Sequence, residues 1–93
     1  MSAQIIVRPE SETQFEIMVR EDAGETRHRV TVDPAYARSL TGSGIATEEL
    51  LRRSFQFLLA REPKESIFSR FDLKDIRRYF PEYERAMRAH SAS

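Results

Sequence analysis

Two histidines, His28 and His90, carry the broadest chemical repertoire in this chain, since imidazole serves as general base, proton shuttle or metal ligand near neutral pH. One falls on a candidate strand and the other in a C-terminal tail, with no cysteine anywhere and no i, i+4 histidine spacing to complete a metal shell. His28 therefore reads as a half-buried strand residue, and neither a metal nor a cofactor is expected. Thr41-Gly42-Ser43-Gly44 offers backbone amides ahead of a helix, as phosphate cradles do, but it lacks the lysine and the longer glycine frame of a nucleotide loop. A connector between two helices explains these glycines. The acid pairs Glu48-Glu49 and Asp72 with Asp75 would supply an acid and a base if they faced each other in a cleft. Each sits at a predicted helix start, where capping and the helix dipole account for it. No catalytic set emerges, and the chain is read as non-enzymatic.

Two groups remain as contact surfaces. Arg27, Arg29 and Thr31 alternate along one strand, so three donors project from one face and could follow a phosphate track or address base edges. The plainer reading is a solvated outer sheet face with Glu16 offsetting Arg29. Further on, Arg77, Arg78, Tyr79 and Tyr83 stand in an aromatic-rich stretch; with Phe71, Leu73, Ile76 and Phe80 turned inward, these four remain at the rim. Tyr and Arg are typical of protein interfaces.

The elements that must position these groups follow from periodicity. Phe15, Ile17 and Val19 alternate with polar residues, and the alternation resumes after Asp22-Ala23-Gly24-Glu25 with His28, Val30 and Val32, which predicts a β-hairpin. Across a four-residue turn, Phe15 is expected opposite Val32, Ile17 opposite Val30 and Val19 opposite His28. On the other face this sets Glu16 against Thr31, Met18 against Arg29 and Arg20 against Arg27, the last a like-charge contact. Ile5 to Val7, bounded by Pro9, is a candidate third strand. Asp33-Pro34 opens a short helix with Tyr36 and Leu40 inward, ending near Thr41.

Thr47 is expected to cap the main helix. There Leu50, Leu51, Ser54, Phe55, Phe57, Leu58 and Leu59 leave only the Glu49, Arg52, Arg53, Gln56 and Ala60 side polar. Such a stripe is wider than one sheet covers, so the helix is central. Pro63 is read as starting a helical turn with Ile67, Phe68 and Phe71, and Asp72 as capping another with Leu73, Ile76 and Phe80. After Pro81, a last helical piece from Glu82 turns Tyr83 and Met87 inward.

Composition bounds the function classes. With 93 residues the chain is one domain, residues 1–93, with 1–3 and 90–93 expected to fray. Fifteen Lys and Arg balance fifteen Asp and Glu, which removes the global basic excess of a nucleic-acid or anionic-lipid binder. Acids dominate residues 1–26, six against two bases, whereas 66–93 carry six bases against four acids. The absence of cysteine suits a reducing cytoplasm, and no apolar run approaches the ~20 residues of a membrane span. No export signal is read at the start, and no membrane partner is expected.

The segment Glu49-Leu50-Leu51-Arg52-Arg53-Ser54-Phe55-Gln56-Phe57-Leu58-Leu59-Ala60-Arg61-Glu62-Pro63, with Ser66-Ile67, Arg70-Phe71-Asp72-Leu73 and Tyr79-Phe80-Pro81-Glu82-Tyr83, resembles a set of small uncharacterised bacterial proteins. That likeness covers most of residues 14–84 and implies no known activity. A shorter stretch, Arg27 to Val32, Pro34 to Leu40, Gly44 and Thr47 to Leu59, resembles the ribbon-helix-helix DNA-binding proteins. There a strand from each of two chains enters the major groove, and the resemblance implies that Arg27, Arg29 and Thr31 would read DNA. The expectation is thus an α+β module, an antiparallel hairpin or three-stranded sheet packed on a central helix and short C-terminal helices. It would act through a protein partner or self-association, with a dimeric DNA binder as the alternative.

Overall fold

The computed structural model describes residues 3–22, 24–42 and 45–92. Three strands, β1 (Gln4–Pro9), β2 (Gln14–Glu21) and β3 (Gly24–Thr31), form an antiparallel meander. A fourth, β4 (Arg70–Asp72), joins β3 in parallel, so the sheet is mixed with order β1-β2-β3-β4. The chain is α+β. Helices α1 (Pro34–Thr41) and α2 (Thr47–Leu59) form the crossover from β3, and α3 (Ile76–Tyr79) and α4 (Tyr83–Ala92) close the domain. Single 3-10 turns at Lys64–Ser66 and Leu73–Asp75 flank β4.

The hairpin register differs from expectation by two residues. Phe15 faces Val30, Ile17 faces His28 and Val19 faces Thr26, because Glu21 pairs with Gly24 and leaves two residues between the strands instead of four. Gly24 accepts this with φ of 142°, a value closed to most side chains. A shift of two leaves every side chain on its original face, so the core is as expected. The outer face improves: Arg20 now opposes Glu25 rather than Arg27, and Glu16 opposes Arg29. Gln4 to Pro9 adds the third strand on the free side of β2, and its Ile5 and Val7 pack against the core.

Asp33 caps α1 by accepting from the Ala35 amide at 3.0 Å, and Gly42 ends it with φ of 69°. Thr47, by contrast, is the first residue of α2 and not its cap. Ala46 holds that position with no side-chain bond, its carbonyl accepting from Glu49 and Leu50. Asp72 caps as expected, in a reciprocal box with Asp75. Phe71, expected on a helical turn, instead lies on β4 opposite Val30. Ala3 packs on the core and α4 is helical to Ala92. Ala23, Ser43, Gly44, residues 1–2 and 93, and the side chains of His90, Ser91 and Ala92 lie outside the described residues.

Helix α2 is central. Leu50, Leu51, Ser54, Phe55, Phe57 and Leu58 are all buried. Phe55 lies over the sheet with its ring 5.3 Å from His28 and 6.1 Å from Phe71, whereas Phe57 meets Phe80 at 5.8 Å and Tyr83 at 5.4 Å. A layer of sheet thus covers one side, and α4 with the segment before it covers the other. No helix among the described residues is long and apolar enough to cross a membrane. Because Phe55 joins α2 to two strands, Phe55→Ala is expected to cost about 3–5 kcal/mol, read as a lower urea midpoint.

Candidate functional site

Three polar clusters tie the layers of the fold together. Ser54 donates to the Leu50 carbonyl at 2.8 Å, so the Tyr83 hydroxyl, 2.7 Å away, donates to Ser54 Oγ. Tyr83 is wholly buried, and its placement at a partner-binding rim is corrected: the i, i+4 spacing with Met87 puts it inside. Burial raises its phenol pKa. Tyr36 donates to Glu84 at 2.8 Å, and Arg77 reaches the same carboxylate at 3.3 Å, joining α1, α3 and α4. Burial and this carboxylate push the Tyr36 phenol up, while the Tyr36 bond and Arg77 hold Glu84 below its usual range. Lys64, a buried lysine, sets its Nζ between Glu21 at 2.9 Å and Glu65 at 2.8 Å, an ion-pair network that keeps its pKa raised.

His28 is buried, not half-buried, and faces Ile17 rather than Val19. Its Nδ1 lies 2.8 Å from the Phe68 carbonyl, which can only accept, so Nδ1 carries the hydrogen. Nε2 then accepts from the Thr26 hydroxyl at 2.8 Å. Both nitrogens are satisfied internally, which makes the ring a pin between β3 and the segment before β4. Burial lowers its pKa, partly offset by the Phe68 bond.

Of the basic strand, Arg27 and Arg29 are exposed and Thr31 is half-buried. Arg29 is held by Glu10 at 3.0 Å, with Glu16 directly across the ladder. The ribbon-helix-helix arrangement requires this strand to pair across a two-fold axis. Here β3 is paired within the chain on both sides, with β2 along its length and with β4 over Arg29–Thr31. The edge a second chain would need there is occupied.

The C-terminal stretch does form a surface. Phe68 and Tyr79 are the exposed large apolar side chains among the described residues, 55% and 61% accessible, and their rings meet edge-to-face at 5.6 Å. They form the lip of a pocket of about 100 Å³ whose floor is Leu58, Ile67 and Ile76. Phe71 and Phe80 line its walls, and two carboxylates, Glu62 and Asp75, stand at its margin. Asp75 accepts from the Asp72 amide at 3.4 Å and faces Arg78 at 4.0 Å. Of the four residues expected at a partner surface, Tyr79 forms the lip, Arg78 is exposed at the Asp75 margin, Arg77 is held by Glu84 and Tyr83 is internal.

Periodicity assigns Phe68 to the core and gives no sign of Glu62; only the fold brings the two together at this pocket. A second cavity of about 270 Å³ lies beside Arg53, Gln56 and Arg61; Arg61 pairs with Glu82 and the Nε of Arg53 with Glu49, while Arg53 Nη1 is buried without a hydrogen-bond partner among the described residues. Comparison of the chain with protein-family profiles, with curated proteins and with solved structures finds no significant match.

Two solution measurements test the internal clusters. Ser54→Ala orphans the buried Tyr83 hydroxyl and is expected to cost about 1–3 kcal/mol, whereas Tyr83→Phe costs about 1 kcal/mol. The double variant should therefore be more stable than the two losses added, as read by urea unfolding. For His28, the folded pKa lies below the ordinary 6.5, so the unfolded chain takes up the proton first on acidification. The contribution of His28 to stability is present above the ordinary pKa of 6.5 and is lost as the pH falls through the lowered folded-state value, and His28→Gln should flatten that decline below pH 6.5. An unchanged slope in the variant would mean that the imidazole is not held neutral.

Proposed function

We propose that the protein is a non-enzymatic, cytoplasmic interaction module that receives a segment of a protein partner in the pocket between Phe68 and Tyr79. The observation that carries this reading is the pair of large aromatic side chains left in solvent at the mouth of an apolar pocket. Single exposed apolar residues are ordinary, but two rings meeting edge-to-face over a concave apolar floor resemble an interface anchor site. Nothing in the fold requires them to be aromatic, since the core beneath is closed by Leu58, Ile67 and Ile76. The occupant is a partner segment carrying an apolar side chain stem, for which a pocket of about 100 Å³ has room. Glu62 at its margin has no ion-pair partner among the described residues, which favours a basic segment. The absence of cysteine suits a reducing compartment.

A random peptide library displayed on phage and panned against the folded protein tests this. Enriched peptides are expected to lose at least about tenfold in affinity for a Phe68→Ser, Tyr79→Ser double variant of unchanged circular dichroism. Enrichment of peptides indifferent to both substitutions, or no enrichment, would overturn the reading.

A further inference from the structure

Two arginines of this chain sit in the same arrangement. Arg61 lies with its guanidinium 3.6 Å from the Phe57 ring centroid and pairs with Glu82 at 3.2 Å. Arg77 lies 5.9 Å from the Tyr36 ring centroid and pairs with Glu84 at 3.3 Å. In each, an aromatic ring and a carboxylate share one guanidinium, whose flat cation is attracted by both the ring's negative face and the anion.

The pocket's lining brings carboxylates and aromatic rings together with no arginine or lysine among them. Glu62 is half-buried at its margin, and among the described residues its carboxylate has no hydrogen-bond or ion-pair partner. Phe68, Tyr79, Phe71 and Phe80 line the same pocket. A carboxylate and aromatic rings lining one pocket both attract a cation that enters it. A long aliphatic stem ending in a guanidinium would satisfy both halves of the site: methylenes against the apolar floor, charge at Glu62.

Resting on the pocket as contact surface, we propose that its occupant is an arginine side chain of a partner protein, with the guanidinium at Glu62 and against the Phe68 and Tyr79 rings. Arginine is favoured over lysine because both internal precedents are arginines and because a planar guanidinium stacks on a ring while donating in its plane.

The test is an NMR titration of the whole protein with three capped tripeptides, Gly-X-Gly, where X is arginine, its neutral isostere citrulline, or norleucine. Saturable shifts at Phe68, Tyr79 and Ile76 are expected with the arginine peptide, weakened at least about tenfold by citrulline and, independently, by Glu62→Gln. Equal binding of citrulline, or indifference to Glu62→Gln, overturns the arginine assignment. If norleucine alone saturates the same resonances, the pocket remains a contact surface and only the cation is wrong. If none of the three does so, the assignment fails as well. Light scattering of the unliganded protein adds a further arm: a dimer dissolved by Glu62→Gln would make a second copy the occupant and overturn the partner segment.

Discussion

Helix α2 is apolar on more sides than one sheet can cover, and most of the architecture answers that constraint. At ~100° per residue, Phe55 and Phe57 point about 200° apart, so the ring that meets the sheet and the ring two residues later need separate neighbours. The sheet receives Phe55 through His28 and Phe71, whereas Phe57 is met by Phe80 and Tyr83 from the C-terminal third. In this structure the cover comes from the same single core of the chain. Its C-terminus must return across the helix, and Tyr83 is where the return is fastened. Its ring fills the apolar gap while its hydroxyl bonds Ser54, the one polar side chain on the buried side of α2.

Period and caps make much of this legible in the residues themselves. The alternation around Ile17 and Val30 defines the inner face of the hairpin, Asp33-Pro34 and Asp72 mark helical starts, and the breadth of the α2 stripe implies a central helix. Register is not legible, because a shift of two residues changes no face and therefore no hydrophobic pattern. Only the outer charges distinguish the alternatives, Arg20 against Glu25 or against Arg27. Thr47 has the residue type of a cap, yet the helix uses the Ala46 carbonyl one residue earlier. Strand β4 is hidden for a different reason. Three residues are too few for a period, and the partner lies some forty positions upstream, where only the crossover through α1 and α2 brings it.

The buried polar groups show how a neutral chain distributes its charge. His28 is kept uncharged by giving its two nitrogens one acceptor and one donor, so the interior never holds an imidazolium without a counter-ion. Lys64 keeps its charge, but only with a carboxylate on each side. Arg29, Arg53, Arg61 and Arg77 each have an acid within salt-bridge distance. Glu62, unlike Glu82 and Glu84, has no ion pair among the described residues, and it shares this with exposed acids such as Glu12 and Glu48; what sets it apart is its place on the lining of the pocket.

The position of the pocket follows from the same covering problem. Between Leu59 and Tyr83 the chain has to wrap the C-terminal end of α2, and it does so with one 3-10 turn, a three-residue strand, another 3-10 turn and a single turn of helix. Pieces so short change direction before any can present a continuous apolar face, so their inward residues Ile67, Leu73 and Ile76 fill the core and leave a hollow above Leu58. The polypeptide path fixes where that hollow lies; it does not require that Phe68 and Tyr79, both turned outward, be aromatic. His28 adds one more link, because the carbonyl it binds belongs to Phe68 itself. The lip of the pocket is therefore anchored through its backbone to the sheet, while its ring stays in solvent. A surface aromatic held in this way loses less conformational freedom on contact than one on a free loop, which favours association at this site over the exposed sheet face.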